Sequence, residues 1–404
     1  MFTFILFFLY PLNKKIRKVI HLKFYRKSHR VLKGSIWFHC ASGEFEYAKP
    51  LINKIAAVSN NNCFVSYTSP SYIGPIQKFK NVESSSPLPL DLPGPVHSFL
   101  SSLEPNCLLI ARTDLWPELL YQCKSKKIPI FVFAVTEKEK KGFQVLFRPW
   151  KRWLYNMTNA VLCVSEEDKK NLIELGVRVP IIVTGDPRVD LVFQRKEQPK
   201  IEKPLLPVSP ELPLLCLGST WPEDEKVIFP PLIPLLTSQK LAVILAPHEP
   251  SEAHFQSFKQ RLKHTPIQLM KYSETQHLEA GTLLYIDEIG ILADIYKYSS
   301  LTFVGGSFKS QVHSVMEPLA YGNEVAVGPY NKNNREAQVF KKMQSPSGYN
   351  MVTEVSNEHE WKGFVEDWLQ LTPVDHENDS KSIISQLESL RGGTEKTYNY
   401  IFQK

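Results

Sequence analysis

Residues 37–45 read Trp37-Phe38-His39-Cys40-Ala41-Ser42-Gly43-Glu44-Phe45: an apolar run that stops at a Ser-Gly turn and resumes as an amphipathic stretch. The pattern is that of a strand, a tight turn and a helix, the opening half of a βαβ unit. It sets the carboxylate of Glu44 at a helix N-terminus, where the partial positive charge of the backbone amides favours an anion. An ionised carboxylate in that place can take a proton from a hydroxyl, so Glu44 is a candidate general base. An acid at a helix start is equally a plain cap, and the motif by itself leaves both readings open.

The same rhythm continues outward from this motif. Short β-rich runs at Phe64–Thr68, Cys107–Ala111, Ile128–Val135, Ala160–Ser165 and Ile181–Thr184 alternate with helical stretches at Glu46–Val58, Leu115–Lys126 and Glu166–Leu175. That alternation predicts a parallel sheet with helices on both faces. From Gln194 to Pro213 the composition turns to Lys, Glu and Pro, as in an extended linker. Strand-like runs then return at Leu214–Leu217, Leu241–Ala246, Thr282–Ile286, Leu301–Val304 and Glu324–Val327, with helices expected at Asp224–Leu236 and Ser251–Leu262 and a helical tail near Lys381–Leu390. The expectation is an α/β protein of GT-B architecture: two Rossmann-like domains with ligands in a cleft between them, at the carboxyl ends of the strands.

Composition agrees with two domains of ordinary size: 404 residues, 43% hydrophobic and 22% charged. The 6 cysteines are widely spaced and lie mostly in apolar runs, without a CxxC pair, which favours buried reduced thiols over metal or redox sites. His39, His248 and His313 lack close ligand spacing, so no metal is expected. The net charge of +7 is uneven. No acid precedes Glu44, while Lys14, Lys15, Arg17, Lys18, Lys23, Arg26, Lys27, Arg30 and Lys33 crowd the first segment. Met1–Leu12 is strongly apolar yet well short of the roughly 20 residues that span a bilayer. Its charges follow the apolar run instead of preceding it, unlike a secretory signal. The segment 1–33 reads as an apolar plug and basic helix lying on an anionic membrane surface. A nucleic-acid partner is not expected, since no aromatic-interleaved basic module follows.

A second motif runs Phe303-Val304-Gly305-Gly306-Ser307, then His313-Ser314-Val315-Met316-Glu317-Pro318. A strand ending in a Gly-Gly turn lets backbone approach a phosphate closely, and the following helix start presents amides to it. Glu317, one turn in, is suited to ribose hydroxyls. The alternative is a tight turn followed by a core helix.

In order along the chain, the WFHCASGEF segment, Pro87-Leu88-Pro89-Leu90-Asp91, Asp114-Leu115-Trp116-Pro117, Thr184-Gly185-Asp186-Pro187-Arg188, Ile286-Asp287-Glu288-Ile289-Gly290 and the Gly305-to-Pro318 block with Gly328-Pro329 resemble the bacterial Kdo transferases, which move 3-deoxy-D-manno-octulosonic acid (Kdo) from CMP-Kdo to a lipid A precursor in lipopolysaccharide synthesis. The resemblance implies Glu44 as base and Arg188 as the cation that steadies the transition state. It implies contacts to CMP at Pro247 and His248, at Ile289, Gly290 and Ile291, at the Gly306-Ser307 turn, and at Ser314, Val315, Met316 and Glu317. CMP-Kdo would be a donor substrate, with no resident cofactor, and the acceptor an acylated, phosphorylated lipid at the cytoplasmic face of the inner membrane. On this reading 1–33 is the membrane-associated segment, 34–193 the acceptor domain, 194–213 the linker, 214–375 the CMP-sugar domain and 376–404 the tail. The chain departs from the family pattern at Arg112, where an acid is usual, at Pro247-His248-Glu249 for Pro-Arg-His, and at Gln311-Val312-His313-Ser314 for Gly-Gly-His-Asn. Two rivals share much of this pattern: a GT-B enzyme that uses a UDP-sugar, and a non-catalytic binding protein of the same descent.

Overall fold

In the computed structural model, residues 33–59, 61–138, 142–201, 203–207, 209 and 212–403 are described. The expected membrane-associated segment at 1–33 therefore lies, but for its last residue, outside the described residues. The chain divides into two units, Met1–Leu191 with Leu390–Lys404, and Val192–Ser389.

The first unit is built on strands β1 (Ile36–His39), β2 (Cys63–Tyr67), β3 (Ser84–Pro87), β4 (Cys107–Ala111), β5 (Ile130–Val135), β6 (Ala160–Cys163) and β7 (Ile181–Val183). They lie side by side in the order β3-β2-β1-β4-β5-β6-β7, every pairing parallel. Alternate residues of one strand serve different cores: Trp37 packs with Leu108, Ile110 and Val132 on one face, and Ile36 and Phe38 with Val65, Leu109 and Phe133 on the other. A sheet covered on both faces needs apolar residues at consecutive positions, which is why these strands read as unbroken apolar runs. Helix Phe45–Val58 covers one face, and the C-terminal helix Gly393–Phe402 packs against it. Asp190 holds the start of that last helix by accepting from the amides of Gly392 (2.8 Å) and Thr394 (2.7 Å).

In the second unit the strands are β8 (Leu206–Pro207), β9 (Leu214–Thr220), β10 (Ala242–Pro247), β11 (Gln268–Lys271), β12 (His277–Leu278), β13 (Thr282–Tyr285), β14 (Leu301–Val304), β15 (Glu324–Val327) and β16 (Val352–Glu354). The parallel sheet runs β11-β13-β10-β9-β14-β15-β16, and β8 pairs with β12 apart from it. Both large sheets thus grow outward from their first strand in two directions, which makes each a Rossmann-like sheet with a reversal of strand order beside that strand. The architecture is GT-B, as the alternating pattern implies.

Three expectations change. The helix expected over Asp224–Leu236 is two helices, Pro222–Ile228 and Leu232–Thr237, broken at Pro230-Pro231. Proline lacks the N–H that the helical ladder needs. The expected linker start at 194 falls inside a helix, Pro187–Glu197. The expected tail, 376–404, is split: helix Pro373–Glu388 belongs to the second unit and Gly393–Phe402 to the first. All 6 cysteines are buried and unbridged. Burial pushes the thiols of Cys63, Cys107, Cys123 and Cys163 up to about 12, so they are inert at neutral pH. Among the described residues no helix is long and apolar enough to cross a membrane.

Candidate active site

In the first unit the strand order reverses between β1 and β4, and the loops after these two strands carry the candidate residues. Glu44 stands immediately before helix Phe45–Val58, half-buried, with its Oε2 accepting from the Ser42 amide at 2.8 Å. The turn is therefore closed around the carboxylate. Burial raises the Cys40 thiol well above its ordinary value, and the carboxylates of Glu44 and Asp114 add to the rise, so both acids face the carboxyl end of β1.

Beneath Glu44 runs a buried hydrogen-bond chain. Trp37 Nε1 donates to Ser66 Oγ (2.8 Å), Ser66 Oγ meets His39 Nδ1 (2.9 Å), and His39 Nε2 meets Asp114 Oδ2 (2.8 Å), which also accepts from Trp116 Nε1 (3.0 Å). A carboxylate only accepts, so His39 carries its proton on Nε2, leaving Nδ1 to accept the Ser66 hydroxyl proton. His39 is fully buried, so it fixes the loops after β1 and β4 to each other and is out of reach of a substrate.

Above the same loops, Tyr47 collects two guanidinium groups. It sits one helical turn past Glu44, its amide donating to the Glu44 carbonyl. Arg188 lies 4.0 Å from the Tyr47 ring centre and is gripped by Asp186 through Nη2–Oδ2 (2.7 Å) and Nε–Oδ1 (3.2 Å). Arg112 lies 5.1 Å from the same ring and donates to the Tyr47 hydroxyl and to Thr136 Oγ1 (2.9 Å). Both of these bonds go to neutral hydroxyls. The Arg112 backbone is left-handed, φ 67°, which costs a non-glycine residue roughly 1–2 kcal/mol. Strain of that kind persists where the surroundings demand a particular side-chain direction.

In the second unit the reversal lies between β9 and β14. Four adjacent parallel strands, β13, β10, β9 and β14, end on one edge of the sheet, and there the chain places Ile289-Gly290-Ile291, Pro247-His248, Trp221 and Gly305-Gly306 respectively. The stretch Ser314 to Glu317 follows β14 and opens helix Met316–Ala320. The sequence-expected donor residues are thus brought to one edge.

Two details were not expected. The Gly-Gly turn directs its amides inward: Gly305 donates to the Gly218 carbonyl (2.8 Å), and buried Asp224 accepts from Gly306 (2.7 Å), Phe308 (2.8 Å) and Trp221 (2.9 Å). The amide of Gly306 is bonded within the protein, and Ser307 is fully buried, its Oγ tying Val304 to Gly328. Both residues therefore shape the loop from below, which leaves Ser314 to Glu317 as the stretch whose amides remain candidates for a phosphate. Gly305 is required by space, since a Cβ there would lie 2.3 Å from the Ser219 carbonyl oxygen. The second detail is an aromatic cluster: His248 stacks on both Trp221 (4.6 Å) and His313 (4.5 Å), Trp221 Nε1 lies 3.4 Å from His313 Nε2, and Lys309 Nζ lies 3.2 Å from the Trp221 ring centre. Burial lowers the His313 pKa to about 4, helped by the neighbouring His248, so His313 is neutral at physiological pH. Glu317 is held by Arg195 Nη1 at 2.5 Å. Tyr47, Asp224, Trp221 and Lys309 carry no motif of their own; only Tyr47, three residues after Glu44, sits at a spacing that marks it.

Residues 17–191 match the glycosyltransferase N-terminal family model described as 3-deoxy-D-manno-octulosonic-acid transferase. Among curated relatives, the 3-deoxy-D-manno-octulosonic acid transferases of Rickettsia felis and Aquifex aeolicus are 25% and 24% identical over 88% and 85% of this chain and 78% and 88% of their own. A bifunctional glycosyltransferase/methyltransferase of Fusobacterium nucleatum is 22% identical over 74% of this chain, which spans only 48% of that relative; the Haemophilus influenzae 3-deoxy-D-manno-octulosonic acid transferase is spanned over 61% of its length. Among solved structures, the UDP-GlcNAc 2-epimerase of Neisseria meningitidis (TM-score 0.61, 13% identity, 92% of this chain and 100% of that one) and Acinetobacter baumannii MurG (0.55, 10%, 92% and 100%) share the fold. The family model thus lies over the unit that holds Glu44, and Kdo transferases are matched along most of the chain, so the chain is similar to that family from its first unit into its second.

Proposed function

We propose that the chain is an inverting glycosyltransferase that moves Kdo from CMP-Kdo to an acylated, phosphorylated lipid A precursor at the cytoplasmic face of the inner membrane. The observation that carries this reading is Glu44 at the strand-order reversal of the first unit, one helical turn from the paired guanidiniums on Tyr47. Glu44 takes the proton of the acceptor hydroxyl as that oxygen bonds to the anomeric carbon of Kdo, and the bond from this carbon to the CMP phosphate oxygen breaks. Arg188, its plane fixed by Asp186, supplies positive charge where negative charge develops, and the amides from Ser314 to Met316 receive the phosphate. His248 and the Ile289-Gly290-Ile291 loop hold the nucleoside, with Glu317 on the ribose. The monophosphate leaving group is held by amides and guanidinium, with no resident cofactor or metal in the scheme.

The test offers the purified chain a lipid A precursor with CMP-Kdo, and in parallel with UDP-sugars. The reading expects Kdo transfer and none from the UDP-sugars. Transfer from a UDP-sugar alone would put the rival GT-B chemistry in its place; CMP binding without transfer to any lipid acceptor would make the chain a binding protein.

A further inference from the structure

The face of the first unit around residues 145–153 is unlike the rest of its surface. A 3-10 turn, Gly142–Phe147, runs directly into helix Arg148–Tyr155. Leu154 and Tyr155 point into the core, while Val145 (43%), Leu146 (68%), Phe147 (49%), Trp150 (44%) and Trp153 (44%) are exposed. Trp150 and Trp153 fall at i and i+3 on one side of the helix, Leu146 lies in the turn just before it, and the two indoles stack at 4.9 Å. An isolated exposed apolar residue is ordinary, but a contiguous group of this size marks an interaction surface.

The charge around it selects the partner. From Gly142 to Ser165 the sequence has no acid, and Arg148, Lys151 and Arg152 fall among the apolar residues. Arg152 is exposed. Arg148 donates to the Glu174 carbonyl (2.6 Å), and Lys151 is paired with Glu137. Tryptophan prefers the boundary between hydrocarbon and headgroups, where its ring is half apolar and its N–H wet. Basic residues beside it are drawn to an anionic leaflet. An amphipathic element of this composition suits a lipid surface better than a protein groove, which would match fixed shape instead of mobile negative charge.

We infer that the 145–153 face is a bilayer-docking surface for anionic lipid, carried by the folded first unit and separate from the segment at 1–33. It goes beyond the proposed transfer reaction and stands without it. Two apolar anchors on one small unit give more than additive attachment, as two linked weak contacts do. The transferase reading supplies a use for it, since a lipid acceptor then meets an enzyme held in a set orientation.

Tryptophan itself reports on the proposal. Residues 1–33 contain no tryptophan, and Trp37, Trp116, Trp361 and Trp368 are buried. The full-length chain is mixed with vesicles of phosphatidylcholine, alone or with phosphatidylglycerol, carrying brominated acyl chains. The expected result is fluorescence quenching that is stronger with the anionic vesicles and is lost in Trp150→Phe/Trp153→Phe. In parallel, Trp150→Ser/Trp153→Ser should weaken partitioning to anionic vesicles about tenfold or more at an unchanged melting temperature, from the apolar area withdrawn from the interface. Quenching that survives in the phenylalanine variant, or partitioning unchanged in the serine variant, would overturn the proposal. So would a lipid-free dimer that the serine variant converts to monomer, because the face would then belong to a second copy of the chain.

Discussion

Tyr47 holds the ring against which two arginines with different surroundings meet. Arg188 is neutralised in part by Asp186, whereas the hydrogen bonds of Arg112 go to hydroxyls. An arginine so placed is ready to pair with a phosphate or carboxylate. Read in sequence alone, Arg112 is a reversal of the family's usual acid; in the structure it adds to the positive charge already present at Arg188. Removing it should weaken binding of an anionic substrate more than it slows turnover. Arg112→Gly tests this cleanly, because glycine accepts φ 67° without strain and compensates for the lost contacts. Stability should stay within about 1 kcal/mol of the parent while KM for one substrate rises about tenfold, as loss of a charged hydrogen bond predicts. Steady-state kinetics with each substrate varied in turn, beside a thermal melt, measures both; an unchanged KM for donor and acceptor alike would remove Arg112 from binding.

Among elements, the turn after β14 shows how a buried acid can organise a glycine loop. Asp224 accepts three amides from a fully buried position, and burial raises its pKa against the lowering effect of those bonds. Asp224→Asn would turn an N–H₂ toward one of those donors. The expected cost is about 2–4 kcal/mol from amides left unpaired, seen as a lower unfolding midpoint, together with weaker CMP binding by calorimetry. A variant as stable as the parent would show that the loop is held in some other way. The strands that position these loops were legible because a sheet buried on both faces demands consecutive apolar residues, as in Leu301–Val304 and Glu324–Val327. Three of the four edge strands of the large sheets were not, Ile181–Val183 being the exception. Ser84–Pro87 is mostly serine, and Gln268–Lys271 and Val352–Glu354 are short and part-polar, as edges tolerate. Glu44 and the Ser314–Glu317 stretch could be singled out from motifs that lead from a strand into a helix start, and His248 from the family resemblance. Asp224 could not, because two of its three amide partners lie more than eighty residues further on.

On the scale of the whole molecule, the same sheet design occurs twice, each with its candidate residues at the reversal of strand order. Stability should carry a pH signature from the second unit. Burial raises the Glu324 pKa to about 8, and the charge of Asp379 adds to the rise. The unfolded chain releases this proton near the ordinary value of 4.5 while the folded chain keeps it, so stability falls as pH rises from there towards about 8 and then levels. Thermal melts between about pH 6 and pH 8.5 should show a midpoint lower by several degrees at the higher pH, and Glu324→Gln should flatten the difference. An equal pH dependence in that variant would assign it to other groups.

The central claim concerns Glu44, and the most direct measurement is Kdo transfer from CMP-Kdo by the parent chain and by Glu44→Gln, with CMP affinity measured on both. The account predicts that the glutamine variant keeps CMP affinity and loses transfer by about 10²–10⁴-fold, the range expected for removal of a general base. Transfer by Glu44→Gln at the parent rate would contradict it, and would leave Glu44 as the cap of its helix.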